Sequence, residues 1–475
     1  MKKFIIFAAV LALLLPTLAM AAIDVSLGGF IKLDAMWDSD GGVGKNVYLP
    51  PARSNDANAK HGRLKFTASG TRFSLTVMGP DLWGAKTSGF IELDFDLAER
   101  ELLGLGFTAS KSYVPRLRHA MFRFNWPTSE LLFGQYWPMF TDWWPETAED
   151  GPTQMTGTPT HRLAQIRFTQ KFMSDWTVAA LIGDPTQTYL GSAANNNTGP
   201  YNANTNNGQS AESPRVEGKI VYAHDFWGKA AYYGQPTPFT VQFAGGWQRN
   251  VLRTGTVAAY ALGENSYIPA TPTGVINVKN QYLNPWLAMG SLFIPVMSTQ
   301  SANLAGTASI LTQLWIGQGI EAFGYTGAWS NKYRLNNNLF GGLNYEADLL
   351  QKFGGFVQGQ YYFTNQWFVN ALYAFSKAYN VSRSLNAAGL GGREYAFTAD
   401  NPQTIQQVEL TLWYRPIQAI KFGLEYAYAS ANYFAYALPT TSNTGVPVGL
   451  GAANNVNRSH FGDNHRLEFV AFFFF

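Results

Sequence analysis

Long stretches of this chain alternate apolar and polar side chains with a period of two. In DVSLGGFIKLDAMW (24–37) every odd position except Gly29 is apolar, whereas the even positions include Lys32 and Asp34. SGFIELDFDL (88–97) and QQVELTLWY (406–414) repeat the pattern. Successive side chains of a β-strand point to opposite faces, so each stretch predicts a strand with one apolar and one polar face. We therefore predict an all-β chain.

The predicted strands have the length and surroundings of a membrane barrel. A soluble β-sandwich also alternates, but many of these stretches run for about ten residues or more, as tilted membrane strands do. Charged residues make up only 14% of the chain, against about a quarter in soluble proteins. Tight turns such as YRPIQ (414–418) alternate with polar loops such as residues 192–213, as in outer-membrane barrels. The aromatic residues expected in girdles at the membrane interfaces are Trp126, Trp137, Trp143, Trp144, Tyr361, Tyr362, Trp413 and Tyr414.

The chain ends on the alternating stretch HRLEFVAFFFF (465–475). Phe469, Phe473 and Phe475 share one parity and are predicted to face lipid in a last strand that pairs with the first. Closing the barrel leaves no open edge for aggregation. The terminal phenylalanine is also similar to the C-terminal signal that the outer-membrane barrel assembly machinery recognises.

The N-terminus reads as an export signal. Residues 1–21 combine Lys2 and Lys3, an apolar run and the small-residue site Ala19-Met20-Ala21, so we predict a cleaved signal peptide. Residues 22–475 are then a single barrel of about sixteen, possibly eighteen, strands. Removing Lys2 and Lys3 lowers the formal charge from +3 to +1, which predicts no nucleic-acid partner. The chain has no cysteine and its six histidines are scattered, so no metal or cofactor is expected.

Four stretches carry a family resemblance: GGFIKLDAMWD (28–38), TRFSLTVMGPDLWGAKTSGFIELDFD (71–96), RLRHAMFRFNWPTSELLFGQYWPMFTDWWPE (116–146) and GGFVQGQYYFTNQWFVNALYAFS (354–376). They are similar to the DcaP-like family of trimeric outer-membrane porins. The resemblance implies a homotrimer in outer-membrane lipid and lipopolysaccharide, whose channels favour small organic anions, notably dicarboxylic acids. The coiled-coil-like segment expected before the first strand of such proteins is absent here, and residues 190–340 match nothing in the family.

If the apolar parity faces lipid, the opposite parity lines the channel. The predicted basic lining residues are Arg63, Lys65, Arg72, Arg123, Arg167, Arg215 and Lys219, with Lys32 following the same logic. The predicted acidic lining residues are Asp34, Glu92, Asp94 and Asp96, together with Glu217, Glu409 and Glu425. The parity slips at Ala68–Gly70, which predicts a bulge or turn. Opposed cations and carboxylates set ion selectivity in a pore, although charges inside a barrel also simply pair with one another.

A long loop after the predicted fifth strand, residues 138–160, is rich in proline and tryptophan. We expect it to fold inward and narrow the channel. Its carboxylates Asp142, Glu146, Glu149 and Asp150 are predicted to form an acidic wall opposite the arginines. Three further arginines fall on the lipid parity and are predicted to lie at a membrane rim: Arg116, Arg118 and Arg162.

The leading functional hypothesis is a passive porin for small organic anions. One alternative is a barrel that sheathes a partner protein, for example an electron-conducting multihaem cytochrome. Another is a barrel enzyme, but the sequence contains none of the hydrolase, zinc-protease or phosphate-loop motifs. We therefore do not expect an enzyme.

Overall fold

The computed structural model describes residues 23–40, 50–56, 59, 61–97, 114–149, 157–186, 208–257, 275–324, 331–338, 342–379, 394–396, 402–433 and 459–475. The predicted signal peptide, residues 1–21, and Asp150 lie outside these residues. Among the described residues, no helix is long and apolar enough to cross a membrane.

The described strands are β1 (Asp24–Asp38), β2 (Arg63–Thr67), β3 (Arg72–Met78), β4 (Lys86–Leu97), β5 (Val114–Asn125), β6 (Ser129–Tyr136), β7 (Leu163–Phe172), β8 (Trp176–Gly183), β9 (Arg215–His224), β10 (Ala230–Tyr232), β11 (Gln235–Thr237), β12 (Phe239–Trp247), β13 (Asn250–Val257), β14 (Val275–Leu283), β15 (Trp286–Met297), β16 (Ala308–Gln318), β17 (Asn331–Asn338), β18 (Gly342–Leu349), β19 (Gln351–Tyr362), β20 (Trp367–Ala378), β21 (Glu394–Ala396), β22 (Pro402–Ile417), β23 (Ile420–Tyr433) and β24 (Phe461–Phe474).

Sixteen antiparallel strands close into a barrel, as the sequence predicts. Each strand of the wall pairs with the next in the order β1, β3–β9, β12, β15, β16, β19, β20, β22–β24. The last strand returns to the first, with Phe474 opposite Phe30 and Arg466 opposite Asp38. Closure matters because every backbone N–H and C=O of a strand in lipid needs a partner. The all-β transmembrane barrel is confirmed.

The second position in the wall is shared by two short strands. β3 pairs with the first half of β1, and β2 pairs with its second half. Leu64 and Phe66 of β2 point outward, and so does Phe73 of β3. The outward parity therefore changes from even to odd across residues 68–71, which is the slip predicted from the sequence. An inserted residue of this kind turns the side chains that follow it to the opposite face of the sheet.

The two ends of the barrel differ in the length of their connections. Most turns at one end are short, such as residues 126–128 and 418–419, whereas the other end carries the long loops. Two hairpins from those loops, β13–β14 and β17–β18, join β21 in a separate five-stranded sheet. The uncharged region 280–320 lies largely in the wall as β15 and β16, and its first residues are the end of β14 in the separate sheet.

The C-terminal phenylalanines divide between the two faces of β24. Phe469, Phe473 and Phe475 are 41%, 49% and 48% exposed on the outer surface. Phe472 and Phe474 point inward, and Phe472 packs against Trp413. The backbone of Phe475 exchanges two 3.2 Å hydrogen bonds, N to O, with Gly29.

The predicted girdle aromatics are only partly at the surface. At the short-turn end, Trp126 stacks on Phe124 (ring centroids 6.0 Å apart) and Tyr414 on Trp367 (4.3 Å). The girdle prediction is wrong for residues that point into the barrel: Trp137, Trp143, Trp144, Tyr362 and Trp413. Three of these belong to the inward-folded loop, and the other two lie on the inward parity of their strands. An aromatic residue near a strand end therefore does not by itself indicate the membrane interface.

Candidate functional site: the barrel lumen

The connection between β6 and β7 folds into the barrel. We call residues 137–162 the constriction loop, of which residues 137–149 and 157–162 are described. At the far wall, Lys32 Nζ donates a hydrogen bond to the Ala148 carbonyl (2.9 Å), and the Ala148 N–H donates to Glu425 Oε2 (2.8 Å). On the return path, Trp315 Nε1 donates to the Gly157 carbonyl (2.9 Å). The inward-folded loop predicted from the sequence is confirmed.

Three carboxylates in the described part of the constriction loop are paired with cations of the barrel wall. Asp142 pairs with Lys219 of β9, and Glu146 with Lys421 of β23. Glu149 Oε1 lies 3.8 Å from Arg466 Nη1 of β24. Each carboxylate therefore anchors the loop to a different strand.

One side of the lumen is filled by closely packed side chains, many of them apolar. Inward side chains of β15, β16, β19 and β20 form a buried cluster that includes Phe293, Leu311, Phe356 and Leu372. A second cluster joins Ala148 of the constriction loop to Phe368 and Trp413. Apolar residues lie on both faces of these strands because lipid covers one face and the protein's own loop covers the other, where they alternate with buried polar residues such as Gln313, Gln358 and Asn370. Polar parity alone therefore does not mark the whole lumen there.

The opposite side of the lumen is open to water. Inward residues of β3 and β4, such as Ser74, Thr76 and Glu92, are partly exposed, whereas the inward residues of β20, β22 and β23 are nearly all buried. The water-accessible path therefore follows β3–β6. Six arginines surround this path, and we call them the arginine wall: Arg72, Arg116, Arg118, Arg123, Arg162 and Arg167.

The predicted rim position of Arg116 and Arg118 is wrong. Arg116 Nη2 lies 2.6 Å from Asp94 Oδ2, and Arg118 Nε lies 2.5 Å from Glu92 Oε1, inside the barrel. A bulge explains the error: in the pairing of β4 with β5, Glu92 is opposite His119 but Leu93 is opposite Leu117, which leaves Arg118 unpaired in the ladder. The extra residue reverses the assignment of inward and outward faces for the β5 residues that precede it.

Four members of the arginine wall lie beside two aromatic rings. The guanidinium carbons of Arg123 and Arg167 lie 5.9 and 5.2 Å from the ring centroid of Tyr136. Those of Arg118 and Arg162 lie 5.7 and 4.6 Å from the ring of Trp137. A guanidinium over an aromatic face gains about 0.5–2 kcal/mol without losing its charge. Arg162 was also predicted at the rim, and that prediction is wrong, because it lies beside the inward-pointing Trp137.

In the described part of the chain, Arg162 and Arg167 have no acidic partner, unlike Arg116, Arg118 and Arg123. Among the described residues, no carboxylate lies within 4.0 Å of either guanidinium, whereas Arg123 Nη1 lies 3.1 Å from Glu130 Oε2. Arg167 instead donates to Gln165 Oε1 (3.1 Å) and to the Trp137 carbonyl. Burial and the nearby Arg118 and Arg116 lower the pKa of Arg162 to about 9. This value is still above neutral pH, so Arg162 stays charged.

The remaining predicted lining residues point inward but are engaged with protein. Arg63 pairs with Asp38 (2.9 Å, Nη2 to Oδ2), and Asp34 with Lys32 (2.7 Å). Lys65 lies on the inward parity between the exposed Leu64 and Phe66. The other members are buried and tied to the constriction loop or to each other: Arg215, Glu217, Lys219, Glu409 and Glu425.

Comparison with solved structures finds outer-membrane channels. The fold is similar to that of the outer-membrane channel DcaP of Acinetobacter baumannii, with a TM-score of 0.61 and 17% identity over 96% of this chain and 99% of that one. It is also similar to an anion-selective porin from Comamonas acidovorans, with a TM-score of 0.50 and 10% identity over 95% and 100% of the two chains. At these identities the similarity concerns the fold, and at that level it confirms the resemblance seen in the sequence.

No protein-family model matches the chain, and no curated protein matches its sequence.

Proposed function

We propose that this protein is a bacterial outer-membrane porin, a water-filled channel for passive diffusion of small hydrophilic solutes that favours small organic anions such as dicarboxylic acids. The observation that carries the proposal is the charge of the arginine wall. Three of its six arginines, Arg116, Arg118 and Arg123, contact four carboxylates: Glu92, Asp94, Asp96 and Glu130. Arg162 and Arg167 contribute an excess of positive charge beside the open path.

The arrangement suits a small carboxylate chemically. Positive charge set in a low-dielectric wall attracts anions into the adjacent water and raises their local concentration. Arginine presents a planar fork that accepts a carboxylate with two parallel hydrogen bonds. The described loop carboxylates do not counter this field directly, because Asp142, Glu146 and Glu149 are paired with Lys219, Lys421 and Arg466.

The filled half of the lumen does not favour the sheath hypothesis. A partner protein inside the barrel needs most of its cross-section, and the constriction loop already packs against β15, β16, β19, β20 and β22–β24. An open path along one wall serves small solutes instead.

The proposal also covers the membrane around the barrel, its oligomeric state and its assembly. Apolar side chains such as Leu27, Ile31 and Phe243 cover the outside, which suits outer-membrane lipid and lipopolysaccharide. The structural similarity to outer-membrane channels supports this location, and the homotrimer is proposed from the family resemblance of the sequence. We also propose that Phe469, Phe473 and Phe475 are the signal for the barrel assembly machinery; the outward position of their side chains on the last strand supports this.

Single-channel recording in a planar bilayer under a potassium chloride gradient tests the proposal. We expect discrete open steps, a reversal potential that favours chloride, and partial block by succinate. Arg162→Gln, alone and with Arg167→Gln, removes the unpaired charges and should lower the ratio of chloride to potassium permeability by about twofold to tenfold.

Arg249→Gln is the matched control. Arg249 also lies near aromatic rings, Trp247 and Tyr282, but it is exposed on the outer side, so selectivity should not change. A channel that prefers cations, or a preference for chloride that survives the double substitution, contradicts the proposed role of the wall. An inserted barrel that carries no current contradicts the porin itself.

A further inference from the structure

A hairpin enters the lumen from the short-turn end. The connection between β9 and β12 contains β10 and β11, joined by Tyr233 and Gly234 with φ values of 49° and 75°. Two consecutive residues with positive φ form the mirror-image turn that suits a tight hairpin. We call residues 230–237 the lumen hairpin. Because most other turns at this end are short, its length requires an explanation.

The lumen hairpin is packed against the inner wall. Ala230 and Ala231 are 0% and 1% exposed, and Ala230 belongs to the same apolar cluster as Phe293 and Leu311. Ser309 Oγ donates to the Ala231 carbonyl (3.2 Å). At the turn, a side chain at Gly234 would stand 3.5 Å from Arg415 Nη1 of β22. The hairpin thus extends from β15 and β16 across to β22.

Two tyrosines of the lumen hairpin contact the backbone of the constriction loop. The Tyr232 hydroxyl accepts a hydrogen bond from the Trp144 N–H (2.9 Å) and lies 3.4 Å from the Asp142 carbonyl. The Tyr233 hydroxyl donates to the Pro145 carbonyl (3.0 Å). The ring of Trp143 packs edge-on against Tyr232, with centroids 4.7 Å apart.

These contacts hold the middle of the loop. Residues 142–145 lie between the Lys219 and Lys421 ion pairs. Pro145 has no backbone N–H that could donate a hydrogen bond. The hydroxyls bond backbone groups of this segment in partly buried positions, so losing them removes hydrogen bonds that hold the loop in place.

We infer that the lumen hairpin is a second element of the constriction, which enters from the opposite end of the barrel and positions residues 142–145 through Tyr232 and Tyr233. The hairpin also closes the side of the lumen under the loop, so that solutes pass only along the arginine wall. Tyr232 and Tyr233 are positioning residues for selectivity and do not themselves contact the solute. The part of this inference that concerns selectivity rests on the proposed function.

The test combines two measurements on the folded full-length barrel. Tyr232→Phe with Tyr233→Phe removes both hydroxyls and keeps the rings; a second variant replaces residues 230–237 with a short glycine–serine turn. We expect amide hydrogen exchange of the peptide spanning residues 139–149 to accelerate at least about tenfold in both variants, because buried polar contacts limit local opening. In bilayers, conductance should rise and the chloride preference should fall, most strongly in the hairpin replacement.

Tyr373→Phe is the control, because Tyr373 is a half-exposed tyrosine on the outward face of β20. Unchanged exchange in the loop peptide overturns the positioning role, whether or not the protein conducts. Faster exchange with unchanged reversal potential and conductance overturns the role in selectivity. A native protein that is silent in bilayers overturns the proposed porin function and, with it, the claim on selectivity, while the exchange measurement still decides whether the hairpin holds the loop.

Discussion

At the scale of single residues, Glu146 connects the constriction loop to more of the wall than any other loop carboxylate described. It pairs with Lys421, and its Oε2 accepts a hydrogen bond from Gln360 (2.9 Å). Its backbone also exchanges hydrogen bonds with Gln358. Lys421 is itself 7% exposed and stands 3.5 Å from the ring centroid of Trp413. The pair is therefore both buried and central to the position of the loop.

Glu146→Gln should destabilise the protein strongly. It leaves the buried Lys421 without its counter-charge, which costs about 3–5 kcal/mol in comparable buried pairs. Denaturant unfolding followed by tryptophan fluorescence measures the loss. Glu146→Gln with Lys421→Met should recover much of the stability, because it removes the uncompensated charge.

The exposed pair of Lys86 and Asp81 provides the comparison, with side chains 72% and 58% exposed. Lys86→Met should change the free energy of unfolding by less than about 1 kcal/mol, since water screens such pairs. Equal effects of Glu146→Gln and Lys86→Met would contradict the assignment of Glu146 as a buried anchor.

At the scale of elements, the close approach of strands depends on particular glycines. Gly29 of β1 has φ = 141°, and a side chain there would stand 2.2 Å from the Arg72 carbonyl of β3. The same residue pairs with Phe475 where the barrel closes. A β-carbon at this point meets backbone on a strand that cannot move without opening the wall.

Gly29→Ala should therefore reduce the yield of folded barrel severely and lower the stability of what folds by at least about 1–3 kcal/mol. The shift between folded and unfolded bands on a cold SDS gel measures the yield. Gly28→Ala is the neighbouring control, because a side chain there meets first the Ser74 hydroxyl, at 3.1 Å, which can rotate away. Comparable yields for the two variants would rule out steric closure at Gly29.

Also at the scale of elements, bulges decided which arginines face the lumen. Period-two alternation predicts the orientation of Arg72, Arg123 and Arg167 from their own neighbours, and the structure places all three inward. It misplaces Arg116 and Arg118 because the bulge that reverses their parity depends on the pairing of β5 with β4. No local feature of the sequence announces that pairing.

At the scale of the whole molecule, the C-terminal residue tests how the barrel is assembled. Phe475→Ala keeps the two backbone hydrogen bonds to Gly29 and removes the outward ring. If the terminal phenylalanine is the signal for the assembly machinery, assembly in cells should fall several-fold. The stability of barrel refolded in detergent should fall by no more than about 1–2 kcal/mol, since the ring is half-exposed.

Phe473→Ala is the matched variant, with a side chain 49% exposed against 48% for Phe475. It removes a similar outward ring but keeps the terminal residue. Heat-modifiable barrel in outer-membrane fractions measures assembly for both. A similar loss in the two variants would mean that apolar surface matters and that the terminal position carries no signal.

The sequence by itself determined that the chain is a closed β-barrel with an inward loop, and it bounded the strand number at about sixteen to eighteen. Strand periodicity, strand length and turn spacing are local properties, and lipid on one face enforces them along the wall. Only the tertiary structure decided what fills the lumen. β15, β16, β19 and β20 carry apolar residues on both faces, which alternation cannot interpret. Their inward faces are buried by the constriction loop and the lumen hairpin, which come from distant parts of the chain.

The charges of the lumen are likewise predicted in part by the sequence and decided in part only by the tertiary structure. Residue type and parity predict that arginines and carboxylates point inward, but pairing between distant strands decides which remain uncompensated. Lys219, Lys421 and Arg466 neutralise the loop carboxylates across more than 70 positions of sequence. Arg162 and Arg167 are left beside Tyr136 and Trp137 with no acidic partner among the described residues. Ion pairs depend on distances in space between charged side chains, so only the folded chain shows where the excess positive charge lies.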